Sequence, residues 1–177
     1  MKRWMLFTVT AALGLSLVAC GVTNSTTGSN AEQPDSGVMG GNVQLATPFT
    51  DHETLEDATQ SAGFTLTLPD PMPEWVEQTV YRSMGTDMLE VVGSGAENQL
   101  RIRKSSATEA NNSGIMNDYP IVSDEEINGI SVSIHSDEEK TFLATWQDGD
   151  YAYSVHLQNG LPNDDSAALR DWIAQIH

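Results

Sequence analysis

Cys20 is the only cysteine in this 177-residue chain, and its surroundings suggest what its thiol is for. It closes the tetrad Leu17-Val18-Ala19-Cys20, in which small residues precede the sulfur. Met1-Lys2-Arg3 supplies two positive charges at the start. The run Trp4–Ala19 is apolar apart from Thr8, Thr10, Gly14 and Ser16. That run has the length of a signal-peptide apolar region and falls short of the roughly 20 residues a membrane-spanning helix needs. The pattern predicts a lipoprotein signal peptide over residues 1–19 ending in a lipobox. A diacylglyceryl group (palmitate or a similar acyl chain) would be carried on the Cys20 sulfur, and cleavage would leave Cys20 as the new N-terminus. After Arg3 no Lys or Arg occurs before Arg82. Their absence suits translocation, because basic residues beside a membrane segment favour the cytoplasmic side. The expected location is the extracytoplasmic face of the cell membrane, with lipid as the anchor.

The remaining chemistry-bearing residues predict no catalytic, metal or cofactor site. His52-Glu53-Thr54-Leu55-Glu56 begins like a zinc-protease helix but has Glu56 where the second histidine ligand belongs. His135, His156 and His177 fall on strand ends or at the terminus, where a lone histidine is expected to face solvent. No serine sits in a Gly-x-Ser-x-Gly elbow, and Gly93-Ser94-Gly95 is too short to cradle phosphate. Asp124-Glu125-Glu126 and Asp137-Glu138-Glu139 are adjacent acids. Adjacent strand residues point to opposite faces, so these runs do not make a glycosidase-type pair. Asp148 and Asp150 lack the spacing of a calcium loop. Arg101, Arg103 and Lys104 are the one basic cluster. They read either as a solvated strand face, with Leu100 and Ile102 inward, or as a docking patch for a carboxylate or cell-wall anion.

Charge narrows the partners. Loss of Lys2 and Arg3 on cleavage takes the formal charge from −17 to −19. Such a domain repels nucleic acid and anionic headgroups, so it should touch the membrane only through the lipid on Cys20. Residues 20–46 comprise the lipidated cysteine and a Gly/Ser/Thr/Asn-rich linker with too few apolar residues to offset ordering entropy. As a flexible coil it would span roughly 25–30 Å. Residues 47–177 are then long enough for one domain with a single core.

The elements expected within that domain begin with a helix over Asp51–Ala62. It is capped by Thr50 and Glu53 and stopped by Gly63. Phe64, Leu66 and Leu68 alternate with threonines as a first strand, ended by Pro69, Pro71 and Pro73. Further strands are predicted at Glu77–Met84, Asp87–Val92 and Gln99–Lys104, followed by a polar loop over 105–118. Asn128-Gly129 joins strands Ile121–Ile127 and Ile130–His135. Asp148-Gly149 joins Thr141–Gln147 and Asp150–Gln158. With Asp148 and Gly149 as loop residues, Trp146 faces Tyr151, Ala144 faces Tyr153 and Phe142 faces Val155, all on one buried face. Leu169, Trp172, Ile173 and Ile176 mark a C-terminal amphipathic helix capped near Asn163, with Asp164 and Asp165 in its first turn. The predicted fold class is α+β: a curved antiparallel sheet of about six to eight strands with an N-terminal and a C-terminal helix packed on one face.

Several stretches carry a family resemblance. They are Thr47-Pro48-Phe49, Ala62-Gly63-Phe64, Ile102-Arg103-Lys104, Asn128-Gly129 and, most specifically, Leu143-Ala144-Thr145-Trp146-Gln147-Asp148-Gly149-Asp150-Tyr151-Ala152-Tyr153-Ser154. Over nearly all of residues 47–177 the chain resembles the bacterial family called domain of unknown function 4367. The resemblance implies an extracytoplasmic domain of the kind found on lipoproteins and on membrane proteins related to anti-sigma factors. It implies no catalytic residues. Pro162-Asn163 stands where a Ser or Thr helix cap would fit the resemblance.

The expected function is a non-enzymatic binding or sensing module for an envelope protein, peptide or small ligand. The alternatives are an envelope hydrolase assembled only in the fold, or a carrier of a hydrophobic ligand. Cys20→Ser should block lipid attachment and precursor cleavage, leaving unprocessed chain. Labelled-palmitate incorporation and membrane partitioning check this. A mature-sized, membrane-bound Cys20→Ser protein would refute the anchor.

Overall fold

A computed structural model describes residues 48–106 and 111–177. The signal peptide, Cys20 and the linker lie outside the described residues, as do residues 107–110 of the polar loop. Eight strands form one open antiparallel sheet with two helices. The elements are β1 (Thr50–His52), α1 (Leu55–Ala62), β2 (Gln78–Met84), β3 (Met88–Ser94), β4 (Gln99–Ser105), β5 (Ile121–Ile127), β6 (Ile130–Ser136), β7 (Lys140–Asp148), β8 (Tyr151–Pro162) and α2 (Ser166–Ile173). The strand order is β1-β2-β3-β4-β8-β7-β6-β5. Two antiparallel halves, β1–β4 and β5–β8, therefore meet at the β4–β8 ladder, and β1 and β5 are the edges.

Local chemistry explains most boundaries. Asn128 and Gly129 both take positive φ, 52° and 81°, as a type I′ turn requires. Gly63 ends α1 in the left-handed region, its N–H donating to the Thr59 carbonyl at 2.8 Å. The start of α1 differs from expectation. Thr50–His52 pairs with Ser83–Tyr81 as a strand, so the cap passes to Thr54, whose hydroxyl accepts from the Asp57 N–H at 3.1 Å. Phe64–Leu68 alternates as expected, with Leu66 buried, but finds no partner strand; one ladder-like bond joins the Thr67 N–H to the His177 carbonyl. Asn163 does not cap α2. A 3-10 turn over Asn163–Asp165 precedes the helix, and the Asn163 side chain instead holds Thr141 and the Asp137 carbonyl.

The β7–β8 register is shifted by two residues from the sequence reading. Asp148 pairs with Tyr151, so Gly149 and Asp150 form the turn. Trp146 then faces Tyr153, and Ala144 faces Val155. A shift of two preserves the face, because side chains alternate with period two. Trp146 and Tyr153 stack with centroids 5.3 Å apart and planes 4° apart. Phe142 leaves that face: the ladder is irregular between Thr141 and Leu143, and the Phe142 ring stacks on Tyr119 at 5.4 Å. The core joins Ala58 and Ala62 of α1, Leu169 and Ile173 of α2, and the sheet residues Leu89, Val91, Leu100, Ile102, Val132, Trp146 and Val155.

Trp146 is 2 % exposed and belongs to this core. Trp146→Ala should cost about 3–5 kcal/mol, from lost burial and a residual cavity, out of the typical 5–15 kcal/mol holding a domain of this size. Denaturant midpoints of the two proteins check this. An unchanged midpoint would make the tryptophan a surface residue.

Candidate functional site

The predicted basic cluster does not come together. Side chains of β4 alternate, so Arg101 and Arg103 emerge on one face of the sheet while Lys104 shares the core face with Leu100 and Ile102. Lys104 is 6 % exposed, and its ammonium lies 4.5 Å from the Tyr151 ring centroid and 5.2 Å from that of Tyr153. Burial pushes its pKa down, while nearby Asp148 opposes the shift. The same burial, with Asp148 and Tyr151 adding to it, pushes the Tyr153 phenol up to about 12.

Arg101 and Arg103 face an acid that the sequence reading overlooked. Glu90 of β3 is 2 % exposed, with Arg103 Nε 2.7 Å from one carboxylate oxygen. Arg101 Nε lies 3.3 Å from that same oxygen, and Arg82 Nη1 lies 3.3 Å from the other. Arg82 also binds Asp51 at 2.9 Å. Arg103 donates to the carbonyls of Asn112 and Ser113 and covers the Phe49 ring. This cluster neutralises a buried carboxylate, and two of its three guanidiniums, Arg82 and Arg103, have further partners besides Glu90. The signal for it was Glu90 itself, an acid inside the apolar run Leu89-Glu90-Val91-Val92.

The histidines scatter. His52 Nε2 meets Ser83 Oγ at 2.8 Å, and Glu53 is exposed beside it. His177 contacts Thr67 Oγ1 and the Gln175 carbonyl. His135 and His156 are half-buried, contrary to the solvent-facing expectation. Burial pushes His135 down. Burial, then Arg101 and Arg103, pushes His156 down to about 4. Among the described residues, no three His, Cys, Asp or Glu side chains converge as a metal site. Asp148 ends β7, and Asp150 lies in the turn that follows it.

A different surface combines a cavity with exposed apolar groups. Ile121, Ser123 and Glu125 of edge strand β5, with Asp137, Leu169 and Arg170 opposite, line a cleft of about 290 Å³. Arg170 clamps Glu125 through two bonds, 2.6 and 2.8 Å, and the Arg170 hydrogen bond holds the Glu125 carboxyl below its ordinary pKa. Asp137 is also engaged, its carboxylate accepting from the Glu139 and Lys140 N–H groups. Ile121 is 43 % exposed and Val122 58 %. Asp124 and Glu126 are exposed on the same strand, and Glu138 and Glu139 are exposed on the β6–β7 turn. Sequence reading found these acids but not the cleft, because α2 closes it with Ser166, Leu169 and Arg170. No family model, curated protein or solved structure matches the chain.

His156 gives the domain an acid sensitivity of known sign. Its unfolded pKa is near 6.5 and its folded value about 4, so the stability it contributes is present above 6.5. That stability is lost as pH falls toward 4. His156→Gln, which cannot charge, should lose less stability between about pH 7 and pH 4.5 than the parent. Denaturant midpoints at the two pH values check this, and equal losses would exclude His156 as the source.

Proposed function

We propose that the chain is a lipoprotein held by Cys20 at the extracytoplasmic face of the membrane, and that its domain is a non-enzymatic binding or sensing module. In this reading the two helices close the apolar face of a curved sheet, and the β5 edge with its cleft forms the contact surface. The observation that carries it is the exposed pair Ile121 and Val122 on an edge strand beside a cleft. Ile121 faces the cleft and Val122 the opposite face, so the unpaired edge offers an exposed apolar residue on each side, and exposed apolar groups at a concavity or an open strand edge mark interaction surfaces. Two of the three acids of the cleft support binding over hydrolysis. Glu125 is clamped by Arg170 and Asp137 is bound to backbone amides, which leaves exposed Glu138 without a second unengaged carboxyl for paired acid–base work. The mixed polar and apolar lining of the cleft does not favour a hydrophobic cargo. The tetrad Leu17-Val18-Ala19-Cys20 and the resemblance to domain of unknown function 4367 both support the extracytoplasmic location. Among the described residues no helix is long and apolar enough to cross a membrane.

A photo-crosslinking residue at position 122 of the lipidated protein in intact cells should give a discrete adduct. One at position 80, where Val80 is 36 % exposed on β2, should give none. No adduct at 122, or the same adducts at both positions, would overturn the assignment of this surface.

A further inference from the structure

We infer that the outer edge of β5 takes an extended, lysine- or arginine-bearing segment of a partner protein as a ninth strand. The inference deepens the binding-module reading and rests on it. The backbone sets the geometry. Asn128-Gly129 is a two-residue turn, so Ile127 and Ile130 form the hydrogen-bonded pair next to it. Alternation along the ladder then turns the N–H and C=O groups of Glu126, Asp124 and Val122 away from β6. Among the described residues no strand pairs with that side of β5. All three residues are exposed. An exposed edge with three alternate donor–acceptor pairs is the template that strand addition uses.

Charge selects the occupant. A second copy pairing antiparallel on β5 would set Asp124 and Glu126 against the same acids, and like charges opposite one another destabilise a sheet. Two domains of this net charge also repel at long range. A segment with cations at two alternate positions would place them opposite Glu126 and Asp124. An apolar residue two positions further on would sit opposite Val122. Its intervening side chains would lie on the cleft side, beside Glu125, Ser123 and Ile121. The β6–β7 turn adds Asp137, Glu138 and Glu139 at the Ile121 end. Arg170 is the cation among the cleft residues, and it is already paired with Glu125.

The test uses the mature chain from Cys20, isotope-labelled, with two synthetic peptides. One carries Lys at two alternate positions followed by Ile at the next. The other carries Glu in place of Lys. The lysine peptide should bind, more weakly as salt is raised, and slow hydrogen exchange at the amides of Val122, Asp124 and Glu126. The glutamate peptide should not bind. Val122→Pro removes one outward N–H without touching the β6 ladder. It should leave the melting temperature near that of the parent and weaken the lysine peptide about tenfold. Asp124→Lys with Glu126→Lys should reverse the preference to the glutamate peptide. Binding of the lysine peptide without protection of those amides, or unaffected by Val122→Pro, would reduce the effect to diffuse attraction and overturn strand addition. Equal binding of both peptides, or slower exchange at those amides from self-association alone, would do the same. If neither peptide binds while the crosslink at position 122 persists, the module reading stands and strand addition fails.

Discussion

A buried carboxylate organises this domain. Glu90 is held at 2 % exposure within the β2–β3–β4 ladder, and an unpaired charge there would cost several kcal/mol. Arg82 on β2 and Arg103 on β4 stand directly opposite Glu90 in the register, and Arg101, opposite Val92, reaches it diagonally along β4. The consequences spread outward. Arg82 ties in Asp51 and thereby the short strand β1. Arg103 gathers the Asn112 and Ser113 carbonyls and lies over Phe49, which covers this face of the sheet. Asn112 adds bonds to Ser105 Oγ and the Ala152 carbonyl, so the segment after β4 is fastened to both β4 and β8.

That arrangement also distributes charge. The described domain has six Lys and Arg residues, and Glu90 engages three of them. Lys104 is enclosed by aromatic rings on the other face, and Lys140 donates to the Asn159 carbonyl. Arg170 alone serves the β5 side, where Glu125 takes it. The sheet is therefore polarised along its width. Its β2–β4 side carries paired cations, and its β5–β6 side carries surplus acid. A surface defined this way discriminates by sign before any close contact forms.

What the sequence disclosed follows from how local each determinant is. The Asn128-Gly129 hairpin was legible because two positive-φ positions in succession admit few residue types. Asp148-Gly149 was less determinate: Gly149 could be the second or the first turn residue, and the structure uses it as the first. The error was two residues, so Trp146, Ala144, Tyr153 and Val155 kept their face. Phe142 did not, because the irregularity between Thr141 and Leu143 leaves no local mark on β7. The start of α1 was ambiguous for a similar reason. Thr50 with Glu53 and Thr54 with Asp57 have the same spacing, and only pairing of Thr50–His52 with β2, some thirty residues on, selects the second. Lys104 was grouped with Arg101 and Arg103 by adjacency, although alternation with Leu100 and Ile102 already placed it inward. The Glu90 cluster and the β5 cleft are products of tertiary contact, which no window along the chain contains.

The inner and outer sides of β5 have different fates because of how α2 attaches. Arg170 grips Glu125, and Asn128 donates to the Ala174 carbonyl at 3.3 Å. Glu125 points to the core face, as do Ser123 and Ile121, so the helix engages β5 from that side alone. Its packing residues Leu169 and Ile173 go to the common core. The helix thus fixes the strand's position without using its outward backbone groups. A strand held rigidly on one side and open on the other loses little conformational freedom when a further strand adds, which lowers the entropic cost of binding. The exposed acids that keep such an edge from pairing with its own kind leave it receptive to the opposite charge. Suppression of self-association and selection of a basic segment are, on this strand, two effects of the same side chains.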